Sequence, residues 1–210
     1  MTTRKISFQA NEKLWERFTR LTSEICLAYA PFLDQVISTE CEYISKDLEG
    51  LSNSKKAKSY IGGLLKRSGA KSVNIEMRRS TVDKLNAIVD EHNLSRSGLL
   101  SRVVLFMCCP DEVKSRFGIP LSTDEKSTGL NLEAYSTTPL IAMKEAFNDP
   151  LFYTRHHIQQ VYEEGMYTVE LPEEFRFASG YLSDHLVMTT TDHKTYTDEV
   201  LEDKKLLEQL

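Results

Sequence analysis

The sequence predicts an α+β fold that is mainly helical. Three observations carry this. One apolar pattern occurs twice, 67 positions apart and in register without gaps, over Lys5–Cys41 and Ser72–Cys108. Within each copy the apolar period lengthens from two to about four, the signature of a strand running into helices. The second half of the chain mixes helical and strand-like stretches.

The alignment of the copies is one of apolar positions rather than identical letters. Ile6 falls on Val73, Phe8 on Ile75, Phe18 on Leu85, Leu33 on Leu100, Val36 on Val103 and Cys41 on Cys108. Each copy opens with alternation. Ile6, Phe8 and Ala10 oppose Lys5, Ser7 and Gln9; Val73, Ile75 and Met77 oppose Ser72, Asn74 and Glu76. That is the pattern of a half-buried strand. Trp15, Phe18, Leu21 and Ile25, and likewise Val82, Leu85, Ile88 and Val89, then lie at helical spacing. Turn-like residues follow at Leu27–Pro31 and at His92–Ser95. A second amphipathic helix carries Leu33, Val36, Ile37 and Glu40 in copy one, and Leu99, Leu100, Val103, Val104 and Met107 in copy two. Ser95 and Ser97 suit an N-cap, and Pro31 suits a first helical turn. A unit this small cannot bury its own apolar faces, and its lone strand leaves ladder groups unpaired. Two copies solve both problems by joining their strands into an antiparallel ribbon over four helices.

Both segments resemble the ribbon–helix–helix DNA-binding proteins of the Arc/MetJ type, over about 37 residues each. Two copies in one chain are also similar to TraY-like plasmid regulators. The resemblance implies that the outward strand residues read base edges in the major groove: Lys5, Ser7 and Gln9, with Ser72, Asn74 and Glu76. The side chains suit that role. Asn74 and Gln9 can bond an adenine edge, Lys5 a guanine, and Glu76 can accept from a cytosine amino group. Glu76 also risks repulsion by phosphate, and Arg78 or Lys5 is its expected partner.

The resemblance further implies a phosphate anchor at the start of the second helix, Ser95, Arg96, Ser97 and Gly98 in copy two. Arg78, Arg79 and Lys71 are expected to join it. Copy one departs from this, because Ala28-Tyr29-Ala30-Pro31 lacks small polar donors and Pro31 lacks an N–H. Its phosphate grip is expected to be weaker or different, and an asymmetric target site follows.

Charge divides the same way. Residues 1–109 hold 17 Lys/Arg against 12 Asp/Glu, a net +5, whereas residues 110–210 hold 9 against 19, a net −10. A basic first half suits nucleic acid, and an acidic second half suits oligomerisation or a protein partner. Four segments are expected: copy one over 1–48, a basic linker over 49–71, copy two over 72–109, and an acidic domain over 110–210. The linker reading rests on Gly62, Gly63 and Gly69 and on the cations Lys55, Lys56, Lys58, Lys66, Arg67 and Lys71, which can add salt-dependent affinity or merely solubility. The acidic half reads as a small mixed α/β domain. Helices are expected over 131–148, 151–164 and 197–210, and strands over 167–171, 175–177 and 185–190.

No signal peptide and no apolar run of membrane-spanning length is present, so a cytoplasmic protein is expected. Cys26, Cys41, Cys108 and Cys109 have no metal-ligand spacing and read as free thiols. His156-His157, Asp184-His185 and Asp192-His193 lack zinc-site spacing, and no phosphate loop or nucleophile motif occurs. No enzymatic activity, metal or cofactor is expected. The function expected is sequence-specific binding of double-stranded DNA by a transcriptional repressor or plasmid-type accessory regulator. The alternative is an antitoxin-like interaction protein whose acidic half holds a protein partner.

Overall fold

The computed structural model describes residues 2–119 and 138–187. Among them the chain is α+β and mostly helical. The elements are β1 (Thr3–Asn11), α1 (Glu12–Glu24), α2 (Tyr29–Asp47), α3 (Lys55–Arg67), β2 (Ala70–Arg78), α4 (Arg79–Glu91), α5 (Arg96–Cys108), α6 (Asp111–Arg116), α7 (Pro139–Asn148) and α8 (Phe152–Tyr162). A 3₁₀ turn at Glu173–Ala178 follows.

The elements of the two segments begin at equivalent positions. Thr3, Glu12 and Tyr29 open β1, α1 and α2, and their equivalents Ala70, Arg79 and Arg96 open β2, α4 and α5. The two strands pair antiparallel, with Ile6 opposite Ile75 and Ser7 opposite Asn74. Ser7 and Asn74 are equivalent positions, so the local two-fold axis relating the copies passes between them. Ile6, Phe8, Ala10, Ile75 and Met77 are buried beneath the ribbon, while Val73 is half-buried. Phe8 meets Trp15 edge to face, with ring centroids 5.7 Å apart.

The turn between the helices is also duplicated. Cys26 and Asn93 hold left-handed backbone, at φ 58° and 48°. Leu27 N–H then reaches Thr22 O at 2.8 Å, and Leu94 N–H reaches Val89 O at 2.9 Å. These bonds satisfy the last carbonyls of α1 and α4 in the Schellman manner. The second helices differ in length. α5 stops at Cys108 because Cys109 turns left-handed (φ 35°) and Pro110 cannot continue a helix. α2 runs on to Asp47 with Cys41 and Ile44 on its buried side.

The stretch expected as a basic linker contains helix α3. Ser54 caps it by accepting from Ala57 N–H at 3.0 Å, and Ala57, Ile61 and Leu65 form a buried i, i+4 stripe. Gly69, at φ 73°, turns the chain from the helix into β2, which already contains Ala70 and Lys71. Tertiary burial of that stripe outweighs the weak helix propensity of Gly62-Gly63.

The expected strands of the second half are corrected as well. Residues 166–168 form a turn, Glu173–Ala178 is 3₁₀ and residues 184–187 are helical, so no strand occurs between 138 and 187. Residues 188–190, 131–137 and the expected helix 197–210 lie outside the described residues. The reason is visible in the bonding. The Arg102 guanidinium, buried to 1% exposure, donates to Met166 O (2.7 Å) and Val169 O (2.5 Å), taking up carbonyls that a ladder would have used. Burial lowers the Arg102 pKa to about 10, with Tyr167 and Asp47 acting against it, so the side chain stays charged. Asn53 Nδ2 donates to Gly180 O (2.9 Å), and Asn53 Oδ1 accepts from Leu182 N–H (3.0 Å). Phe117, Ile158, Tyr167 and Phe177 share one continuous apolar core with Phe18, Ile37 and Leu100.

Candidate nucleic-acid interface

The ribbon presents one polar face. Lys5, Ser7, Gln9, Ser72, Asn74 and Glu76 are all exposed, alternating with the buried set. The register places Lys5 opposite Glu76, Ser7 opposite Asn74, and Gln9 opposite Ser72. All six expected base-reading residues therefore share one surface about the local two-fold. The Ser7 and Ser72 hydroxyls lie 3.0 Å apart and bond each other. Asn74 and Gln9 keep their side-chain amides unbonded among the described residues, leaving a donor and an acceptor on each.

Arg78 does not pair with Glu76. Its Nε sits 2.5 Å from Asp34 Oδ2, its N–H donates to Asp34 Oδ1 (3.0 Å), and Nη2 donates to Gln35 Oε1 (3.2 Å). Asp34, on α2, thus holds the end of β2 through both backbone and side chain. Lys71 pairs with Glu12. Arg79 is exposed, with only an i, i+4 contact to Asp83 at 3.8 Å. Of these three expected phosphate contacts, Arg79 has the least competition.

The start of α5 is placed against the edge of β1. Ser95 caps the helix, accepting from Gly98 N–H at 3.2 Å. Ser97 Oγ accepts from Gln9 N–H at 3.0 Å. Arg96 donates from Nη2 to Ser7 O at 3.3 Å and from Nη1 to Asn86 Oδ1 at 3.4 Å. Arg96 therefore lies beside the ribbon's polar face with a guanidinium held by neutral acceptors only. Gly98 has a different role from the one expected. It is buried, and an added Cβ would come within 2.6 Å of Ser179 O and 2.9 Å of an Ile61 methyl. It permits close packing of residues 179–180 and α3 on the helix start rather than forming an open anion bed.

The equivalent end in copy one is built differently. Ala28 caps α2 with no side-chain bond, and Tyr29 and Pro31 are exposed. Tyr29 instead packs edge to face on Trp15, 5.7 Å between centroids. The two helix starts flanking the ribbon are thus chemically unlike.

Elsewhere, both members of the His156-His157 pair are engaged, and Asp192-His193 lies outside the described residues. His157 Nε2 lies 2.8 Å from Phe117 O, and His156 stacks on Phe152. No group of three or more His, Cys, Asp or Glu able to hold a metal occurs among the described residues. The four thiols are free. Cys41 and Cys108 are buried, which pushes them up to about 11 and about 12, whereas Cys26 is exposed. No helix among the described residues is long and apolar enough to cross a membrane. No family model, curated protein or solved structure matches the chain.

Proposed function

We propose that this protein binds double-stranded DNA sequence-specifically as a tandem ribbon–helix–helix regulator, a transcriptional repressor or plasmid-type accessory factor. The supporting observation is the two-stranded antiparallel ribbon whose six central outward side chains are all polar and exposed about a local two-fold. A ribbon of this kind fits the major groove, about 12 Å wide, and side chains at alternate positions then meet base edges. Asn74 and Gln9 carry the groups for adenine recognition. Arg96, beside the face, and Arg79, at the ribbon's other end, supply cations for phosphate. The unlike starts of α2 and α5 favour a target with two unlike half-sites.

The test is selection of bound sequences from random duplex DNA, followed by affinity measurements across salt. Asn74→Ala is expected to reduce discrimination at one position by about 1–3 kcal/mol. Arg96→Ala is expected to weaken all sequences alike and lower the salt slope by about 0.9. Wild-type behaviour in both variants would overturn the assignment.

A protein partner for the second half is the second reading. It is favoured by α7, where Leu140, Ile141 and Met143 are 79%, 48% and 54% exposed. Sedimentation of the full chain alone and of a Leu140→Glu/Met143→Glu variant would detect self-association through that face.

A further inference from the structure

We propose that α3, the helix between the two copies, is a lateral arm that grips the phosphate backbone of duplex DNA beside the ribbon. The inference rests on the DNA-binding reading above and adds a second surface to it.

Charge is the first observation. α3 has five Lys/Arg and no acid in 13 residues. Its buried stripe is Ala57, Ile61 and Leu65; Lys55, Lys56, Ser59, Lys66 and Arg67 are exposed. At 3.6 residues per turn, Lys56, Ser59, Gly63 and Lys66 lie opposite the stripe. The helix dipole does not account for this pattern. It favours Lys66 and Arg67 in the last turn but disfavours Lys55 and Lys56 in the first. Among the described residues, Asp184 is the acid that reaches this first turn, accepting from Ser54 Oγ.

The glycines are the second. Gly62 and Gly63 lie inside the helix, where glycine is unfavourable. Neither has positive φ. A Cβ at Gly62 would meet nothing within 4 Å, and one at Gly63 would meet only the flexible Arg67 guanidinium, at 3.3 Å. Packing among the described residues therefore does not require either glycine. A bare helix backbone flanked by Lys66 and Arg67 allows a phosphate chain to approach closely.

Position is the third. Ile61 packs against Gly98 at the start of α5, and Ser68, just past the helix, accepts from Asn11 Nδ2 (2.6 Å) at the end of β1. α3 thus lies beyond the α5 start on one side of the ribbon. After α5, the chain instead enters the short α6 (Asp111–Arg116), which carries two acids and two cations. The arm extends the footprint on that side, and its grip is independent of sequence.

The experiment uses the full chain, a selected duplex and a scrambled duplex, with affinity followed across salt. Lys56→Gln/Lys66→Gln is expected to lower the salt slope by about 1.8 on both duplexes, for two lost phosphate contacts, while leaving sequence preference intact. Gly62→Ala/Gly63→Ala is expected to raise Tm yet weaken binding to both duplexes, an opposition that a purely structural helix would not produce. An unchanged slope in the first variant, or undiminished binding in the second, overturns the arm. If that happens while Asn74→Ala still relaxes preference, the ribbon reading stands. If Asn74→Ala and Arg96→Ala are both silent and the arm variants act as described, the ribbon reading falls and the arm stands. Failure of the wild-type chain to bind any duplex overturns both.

Discussion

Glu40 offers the sharpest test of how the two halves of the chain are joined. It lies on α2 at 0% exposure. Its carboxyl meets the Arg155 guanidinium from α8, and Oε2 accepts from the Tyr167 hydroxyl at 2.7 Å. Arg155 also spans both Asp149 oxygens at 2.6 Å and lies 3.6 Å from the Tyr43 ring centre. Two tendencies oppose each other at Glu40. Burial favours the neutral acid, while Arg155 and the Tyr167 hydrogen bond favour the anion. Burial prevails and pushes the carboxyl from 4.5 up to about 7. The folded protein then binds this proton more tightly than the unfolded chain does. The resulting stability is fully present below pH 4.5 and is lost as the pH rises to about 7, remaining absent above it. A rise of this size corresponds to about 3 kcal/mol, at about 1.4 kcal/mol per pH unit.

Urea denaturation of wild type and Glu40→Gln at several values between pH 4.5 and 8 measures this directly. Glutamine keeps an acceptor for Tyr167 but does not titrate. The stability of wild type should fall by about 3 kcal/mol more than that of the variant across the window. Subtracting the two curves removes the contributions of the histidines and of Asp47, whose carboxyl burial also raises. Parallel curves would refute the reasoning, and a wild type that gains stability relative to the variant as pH rises would reverse its sign.

Two further outcomes test the packing. Ile61→Ala should lower the unfolding free energy by about 2–5 kcal/mol, because Ile61 is fully buried; an unpacked linker would register less than about 0.5 kcal/mol in the same urea titration. Gly98→Ala should destabilise by about 1–3 kcal/mol, since the new methyl overlaps Ser179 O and Ile61, and a Tm equal to wild type would show that residues 179–180 do not lie on α5 as described.

Much of the first half was legible because its signals are local and repeated. Alternation at Ile6–Ala10 and Val73–Met77 placed the strands on the correct faces, and duplication implied that they pair. Asn93 and Ser95 marked the turn and the cap of copy two. α3 was hidden because Gly62-Gly63 and the lysines are strong loop signals, whereas Ala57, Ile61 and Leu65 become a stripe only against a surface that can cover them. The strand-like run at Tyr167–Leu171 misled because its apolar residues are indeed buried, but among the described residues no neighbouring strand meets them and Arg102 takes the carbonyls of Met166 and Val169.

Period and punctuation along the chain thus determined the repeat, the ribbon and its polar outer face, since these depend on which residues alternate over a few positions. The tertiary structure alone decided which polar groups remain available. Arg78 is taken by Asp34, 44 positions away, Gly98 is closed by Ser179, and Glu40 is buried against Arg155, 115 positions away. Each of these outcomes depends on a partner brought close by folding. A residue's own chemistry states what it can bond, but distant packing determines what it does bond.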